Sequence, residues 1–187
     1  MKKTLLITID FSPASGGVAR YLVGLAKNLP VDELVVLAPR VEKNYDNQFK
    51  FRVYRRKMFW SLWPQWLPLV WQIYKVAKRE QVEMFWVAQP LPVGTAVYLV
   101  NKFFKLPYIV NTHGMDVAGP LAAGGRRFKI LQKVLKSART ITVNSEYTKE
   151  LVLKCGLNED KIIKVYPCLT LNSQFPIPNS QFIHFRR

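Results

Sequence analysis

Short unbroken apolar runs alternate along this chain with segments whose apolar residues recur every three or four positions, from residue 3 to about residue 166. Residues 3–11, rich in Leu and Ile, predict a strand buried on both faces. Residues 12–17 are a loop by composition. Val18, Leu22, Leu25, Ala26 and Leu29 then share one helical face, and Pro30 ends the helix. Residues 33–38 form a second apolar run. Strand, glycine turn, helix and strand make a βαβ unit, whose strands pair in parallel.

The same reading predicts strands at 51–54, 84–88, 108–112, 140–144 and 161–166. Helices are expected at 69–81, 93–104, 121–137 and 146–155, the third with Phe128, Leu131, Val134 and Leu135 inward. Ser145 is placed to cap the last helix, Glu146 sits in its first turn where the macrodipole favours a carboxylate, and Gly156 follows its end. Seven strands interleaved with helices predict an α/β fold, a Rossmann-like, doubly wound, mostly parallel sheet in a single domain over residues 1–168. From residue 169 the periodicity stops, and Asn-Ser-Gln-Phe occurs at both 172–175 and 179–182. Residues 169–187 are therefore expected to form an irregular low-complexity tail, the alternative being an extended tail packed on the domain.

Composition narrows the classes. The 187 residues carry 28 Lys and Arg against 12 Asp and Glu, a formal charge of +16, yet 49% are hydrophobic and 13% aromatic. That excludes a disordered polycation. The length supports one domain with a sizeable core, and not two full α/β domains. Cys155 and Cys168 belong to no C-x-x-C pair, which argues against zinc ribbons, thioredoxin-type sites and disulfide scaffolds and predicts small buried hydrophobes. The apolar start ends at Asp10, too early for a signal peptide, and the uncharged stretch 58–74 contains Pro64 and Pro68 and falls short of the roughly 20 residues of a spanning helix. A cytoplasmic protein is expected.

Two positions carry candidate chemistry. Gly16-Gly17 follows the first strand and precedes the first helix, where free N–H groups and the helix dipole suit a phosphate and glycine permits close approach. The spacing is neither the dinucleotide fingerprint nor a P-loop, and a tight βα turn explains the pair equally well. His113 ends the strand 108–112 and faces the ligand crevice of a parallel sheet, where an imidazole can bond a sugar hydroxyl or move a proton. Equally, it can serve only to order its loop through Asp116. No Asp-x-Asp occurs, so no metal-diphosphate site is predicted, and no Ser/His/Asp or Cys/His constellation is available.

The charge is concentrated. Arg126, Lys129, Lys133 and Lys136 line one helical face, while residues 50–80 hold eight Lys and Arg against Glu80 and four of the five tryptophans. Arg55, Arg56 and Lys57 with Trp60, Trp63 and Trp66 are expected to dock on an anionic membrane surface, core burial of the tryptophans being the other reading. Without an RNP, KH or helix-turn-helix signature, nucleic acid is not the expected partner.

Four segments in order resemble family-4 glycosyltransferases of the two-domain B fold. They are Phe11-Ser12-Pro13 with Gly16-Gly17-Val18-Ala19-Arg20, His113-Gly114-Met115-Asp116 as an H-G-x-D loop, 138–148, and Lys161-Ile162-Ile163-Lys164-Val165-Tyr166-Pro167. The resemblance covers residues 3–167 and implies an N-terminal, acceptor-side domain. It implies Gly16 and Gly17 against the donor diphosphate, His113 as the catalytic residue reaching the transferred sugar, and Gly114 and Asp116 in the sugar and acceptor loop. It further implies retention of anomeric configuration, no metal or other cofactor beyond the nucleotide-sugar donor substrate, and a saccharide or lipid-linked acceptor, at the inner face of the cell membrane. The family continues into a donor-binding domain, whereas Cys168-Leu169-Thr170 and the repeat follow here. The 187 residues are therefore expected to be inactive alone and to need a separate donor-binding half. The alternative is a non-enzymatic, basic peripheral-membrane binding module of the same fold.

Overall fold

The computed structural model describes residues 2–41, 45–61 and 64–167. The expected tail, Cys168 and Trp63 lie outside the described residues. The strands are β1 (Thr4–Ile7), β2 (Leu34–Pro39), β3 (Arg52–Arg56), β4 (Met84–Val87), β5 (Tyr108–Thr112), β6 (Thr140–Val143) and β7 (Ile162–Lys164). The helices are α1 (Gly17–Lys27), α2 (Leu67–Glu80), α3 (Val93–Phe104), α4 (Met115–Ala123), α5 (Gly125–Ser137) and α6 (Glu146–Lys154). The strands form one sheet in the order β3-β2-β1-β4-β5-β6-β7, and every pairing is parallel. The α/β, Rossmann-like expectation holds.

Alternation along the strands divides the core between two faces. Leu5, Ile7, Val35 and Leu37 join Leu69 and Ile73 of α2, Val97 of α3, Leu131 and Val134 of α5 and Val152 of α6. Leu6, Val36 and Ala38 face the other way, under Leu22 and Ala26 of α1. Helices thus cover both faces, as double winding requires. The chain runs outward from β1 through β2 to β3, then returns to place β4 on the free side of β1. The connections after β1 and β4 lead to helices on opposite faces of the sheet, and the carboxyl ends of those strands are where such a fold places a crevice.

Glu80, the last residue of α2, ties three elements together. Its carboxylate accepts from Tyr54 and Arg52 of β3 and pairs with Lys3 at 3.2 Å, with its side chain only 4% exposed. A carboxylate at a helix C-terminus meets the unfavourable end of the dipole, and these partners offset it.

Ser145 caps α6 as expected, its hydroxyl accepting from the Thr148 amide at 3.2 Å. Cys155 is buried, and burial pushes its thiol up to about 11. One expected helix differs. Instead of a single helix over 121–137, α4 starts at Met115 and a break at Gly124, with φ +63°, separates it from α5. Pro120 inside α4 and the glycines at 119, 124 and 125 gave that segment the composition of a loop. Pro120 removes one intrahelical donor, yet its ring and Val117 are buried, and that packing sustains the helix.

Candidate functional site

The crevice gathers residues from four segments. Gln89, two residues past the end of β4, donates from Nε2 to Asp10 Oδ2 at 2.9 Å and so joins the two loops at the switch point. His113 ends β5, with Nε2 3.1 Å from the Ala88 carbonyl. A carbonyl only accepts, so in the neutral imidazole Nε2 bears the proton and Nδ1 holds the lone pair. Tyr21 of α1 meets the imidazole edge to face, with ring centroids 6.2 Å apart. Gly17 lies one turn before Tyr21 on the same side of α1, so the glycine pair stands within one helical turn of the residue that meets His113.

The two glycines are not demanded by the backbone. Gly16 is extended, with φ −66° and ψ 158°, and a Cβ at either position would meet nothing within 4 Å. Neither position shows the strain or crowding that would by itself require glycine. The effect of the pair is to leave open space before the N-terminus of α1, whose first turn has no side-chain cap and no acidic residue.

The H-G-x-D loop is ordered through its backbone. Both carboxylate oxygens of Asp116 accept from the His113 amide, at 2.9 and 3.1 Å. Gly114 adopts φ +102°, a conformation side chains rarely take, at the N-cap of α4. Burial pushes the Asp116 carboxyl up, against the hydrogen bond from the His113 amide that favours its charge. The His113 amide orders this loop through Asp116, while the imidazole bonds the Ala88 carbonyl and packs against Tyr21.

Sequence reasoning passed over Asp10, Gln89 and Tyr21. Gln89 is 7% exposed, and its Oε1 has no hydrogen-bond partner among the described residues. Such a buried acceptor costs about 1–3 kcal/mol, and a sugar hydroxyl is a donor that would satisfy it. The signal for Asp10 and Gln89 was positional, since both follow strands that flank the switch point.

The basic, Trp-rich segment divides. Arg55 turns inward. Its guanidinium grips Asp46 through Nε and Nη2, donates to the Ser12 and Pro39 carbonyls and lies over the Phe11 ring at 5.6 Å, leaving the side chain 12% exposed. It is a strut between β3 and the loop after β1, and its place on an expected membrane surface is corrected accordingly. Arg56 and Lys57 are exposed and, with Arg40, line a cavity of about 300 Å³. Trp60 is 49% exposed and Trp66 half-buried. Full core burial of these two tryptophans does not occur.

Among the described residues, no cluster of three His, Cys, Asp or Glu could hold a metal ion, and no helix is long and apolar enough to cross a membrane.

Comparison with known proteins bears on the family and the fold. The family described as Glycosyltransferase Family 4 matches residues 15–172. The sequence is 23% identical over 156 residues to a GDP-mannose-dependent monoacylated alpha-(1-6)-phosphatidylinositol monomannoside mannosyltransferase of Corynebacterium glutamicum, covering 79% of this chain and 39% of that protein. Anabaena Alr3699/HepE, solved in complex with UDP and glucose, superposes with a TM-score of 0.69 at 17% identity, covering 90% of this chain and 45% of that one. The UDP-GlcNAc 2-epimerase of Methanocaldococcus jannaschii superposes at 0.59 with 15% identity, covering 87% and 45%. At these identities the structural likeness shows the fold alone. The chain spans less than half the length of these proteins.

Proposed function

Since the chain belongs to glycosyltransferase family 4, we propose that it is the acceptor-side domain of a glycosyltransferase moving a sugar from a nucleotide-sugar donor to a saccharide or lipid-linked acceptor. The observation that carries this reading is the crevice at the β1/β4 switch point. There the imidazole of His113 faces α1, and the glycine pair keeps the start of that helix clear. In this reading the α1 amides and Gly16-Gly17 lie against the donor diphosphate, and His113 Nδ1 reaches a hydroxyl of the transferred sugar. Gly114 and Asp116 hold that loop, and transfer retains anomeric configuration without a metal. Stabilising the departing diphosphate is a large rate term, and it falls to a donor-binding half outside these 187 residues. The domain is then inactive by itself.

The test is a fusion of this chain to the C-terminal half of the corynebacterial relative, assayed for nucleoside diphosphate release and for labelled sugar transfer into a lipid extract. Release and transfer by the fusion, and by neither half alone, are expected. A fusion that folds yet uses none of a panel of nucleotide-sugars counts against the enzyme. Gly17→Ala sharpens the test. Alanine suits the first turn of a helix better than glycine, so stability holds or rises by up to about 1 kcal/mol. Its Cβ meanwhile enters the space assigned to phosphate, and the KM for the nucleotide-sugar should rise roughly tenfold, about 1.4 kcal/mol of binding. A stabilised variant with unchanged KM removes the glycines from the donor site.

A second reading rests on the exposed basic and aromatic residues of 56–60, a peripheral-membrane function on the inner face of the cell membrane. It is compatible with the enzyme, and in a chain without transfer activity it stands as a membrane-binding module.

A further inference from the structure

Helix α2 exposes two unlike surfaces on either side of one crest. On one flank, Leu67, Val70, Trp71 and Tyr74 face Val100 and Phe103 of α3 across an apolar groove of about 460 Å³. Phe103 is 80% exposed, Trp71 55% and Leu67 43%. On the other flank, Gln72, Lys75 and Arg79 face Tyr54 and Arg56 of β3 around a cavity of about 490 Å³.

The second cavity is electrostatically unfinished. The guanidinium groups of Arg56 and Arg79 both lie over the same Tyr54 ring, at 5.5 and 5.8 Å. Neither these two nor Lys75 has a carboxylate partner among the described residues. The one acid nearby, Glu80, is taken up by Tyr54, Arg52 and Lys3. Like charges converging on one ring repel, an anion between them relieves that repulsion, and the N–H fork of a guanidinium matches a pair of phosphate oxygens. At the crest, Lys75 lies 4.8 Å from the Trp71 ring, so the cationic and apolar surfaces are continuous.

We infer that the α2–α3 face docks on an anionic phospholipid bilayer, with lipid phosphate in the Tyr54–Arg56–Lys75–Arg79 cavity and acyl chain against Trp71 and Phe103. The charge complementarity of the Arg56–Lys75–Arg79 cavity selects the anionic headgroup, and the adjoining apolar groove selects a lipid over a soluble phosphate. This inference deepens the membrane part of the proposed function and is independent of the sugar chemistry. It places the contact on α2 and α3, away from the inward-turned Arg55.

The experiment is vesicle sedimentation of the full chain with phosphatidylglycerol vesicles, neutral phosphatidylcholine vesicles as control, and circular dichroism melts to verify folding of each variant. Wild type should bind the anionic vesicles, release them at high salt, and ignore neutral ones. Arg56→Gln/Lys75→Gln/Arg79→Gln should weaken binding about a hundredfold, since each basic residue near an anionic surface contributes about fivefold. Phe103→Glu should weaken it roughly tenfold. Lys129→Gln/Lys133→Gln/Lys136→Gln on α5 removes the same charge elsewhere and should leave most of the binding. If both triple variants weaken binding equally, only net charge is at work and the α2–α3 assignment falls while membrane binding survives. If wild type ignores anionic vesicles, both fall. If millimolar inorganic phosphate displaces the protein from vesicles at constant ionic strength, the cavity is a soluble-phosphate site and the lipid assignment is overturned.

Discussion

Glu80→Gln is expected to lower the unfolding free energy by about 3 kcal/mol at neutral pH, and the difference from wild type should close as the pH approaches 2. Burial alone would disfavour the charged form of this carboxyl. The hydrogen bonds from Tyr54, Arg52 and Lys3 outweigh it and hold the group at about 2, well under its ordinary 4.5. A carboxyl held low in the folded state adds stability that is complete above about pH 4.5 and disappears as the pH falls through about 2. Glutamine keeps an acceptor for the Tyr54 hydroxyl but gives up the charge that Arg52 and Lys3 approach at 2.6 and 3.2 Å. Chemical denaturation across pH 2–7 measures both curves. Parallel curves, with a constant offset down to pH 2, would mean that the variant loses packing and not an ionised hub.

His113→Ala, made in the fusion protein, is expected to reduce turnover about 10²–10³-fold while costing about 1 kcal/mol of stability. The asymmetry follows from how the loop is built. Asp116 holds the backbone amide of His113, which alanine retains, so the loop keeps its path. What alanine removes is the imidazole and its contact with the Ala88 carbonyl. Asp116→Ala should do the reverse, destabilising the protein by leaving the His113 amide without its acceptor, with lost activity following lost structure. Melting and turnover measured on both variants separate the roles. If His113→Ala transfers sugar at the wild-type rate, the imidazole is not in the reaction path.

Part of this was legible in the residues. Local periodicity is a property of neighbours in sequence, and it located the inner strands to within a few residues because parallel strands covered on both faces are apolar runs, while the edge strands β3 and β7 showed only as short segments in the strand–helix alternation. It failed between 115 and 125, where Pro120 and three glycines outweighed a helix that tertiary packing sustains. The glycine pair and His113 could be picked out because a parallel sheet puts chemistry at the carboxyl ends of its strands. Asp10 and Gln89 escaped because nothing in either residue's own neighbourhood signals a partner 79 positions away. The charge of Arg55 was visible, but its direction was not. A guanidinium beside tryptophans in sequence reads as surface, and only the approach of Asp46 and the Ser12 carbonyl turned it inward.

By itself the sequence determined the fold class, the count of strands and the candidate loop residues, since these follow from hydrophobic period and turn chemistry. Tertiary structure alone decided which strands adjoin, where the order reverses, and how α2 lies between α3 and β3. Those are outcomes of long-range packing, where a residue's neighbours in space are set by the whole core and not by its place in the chain.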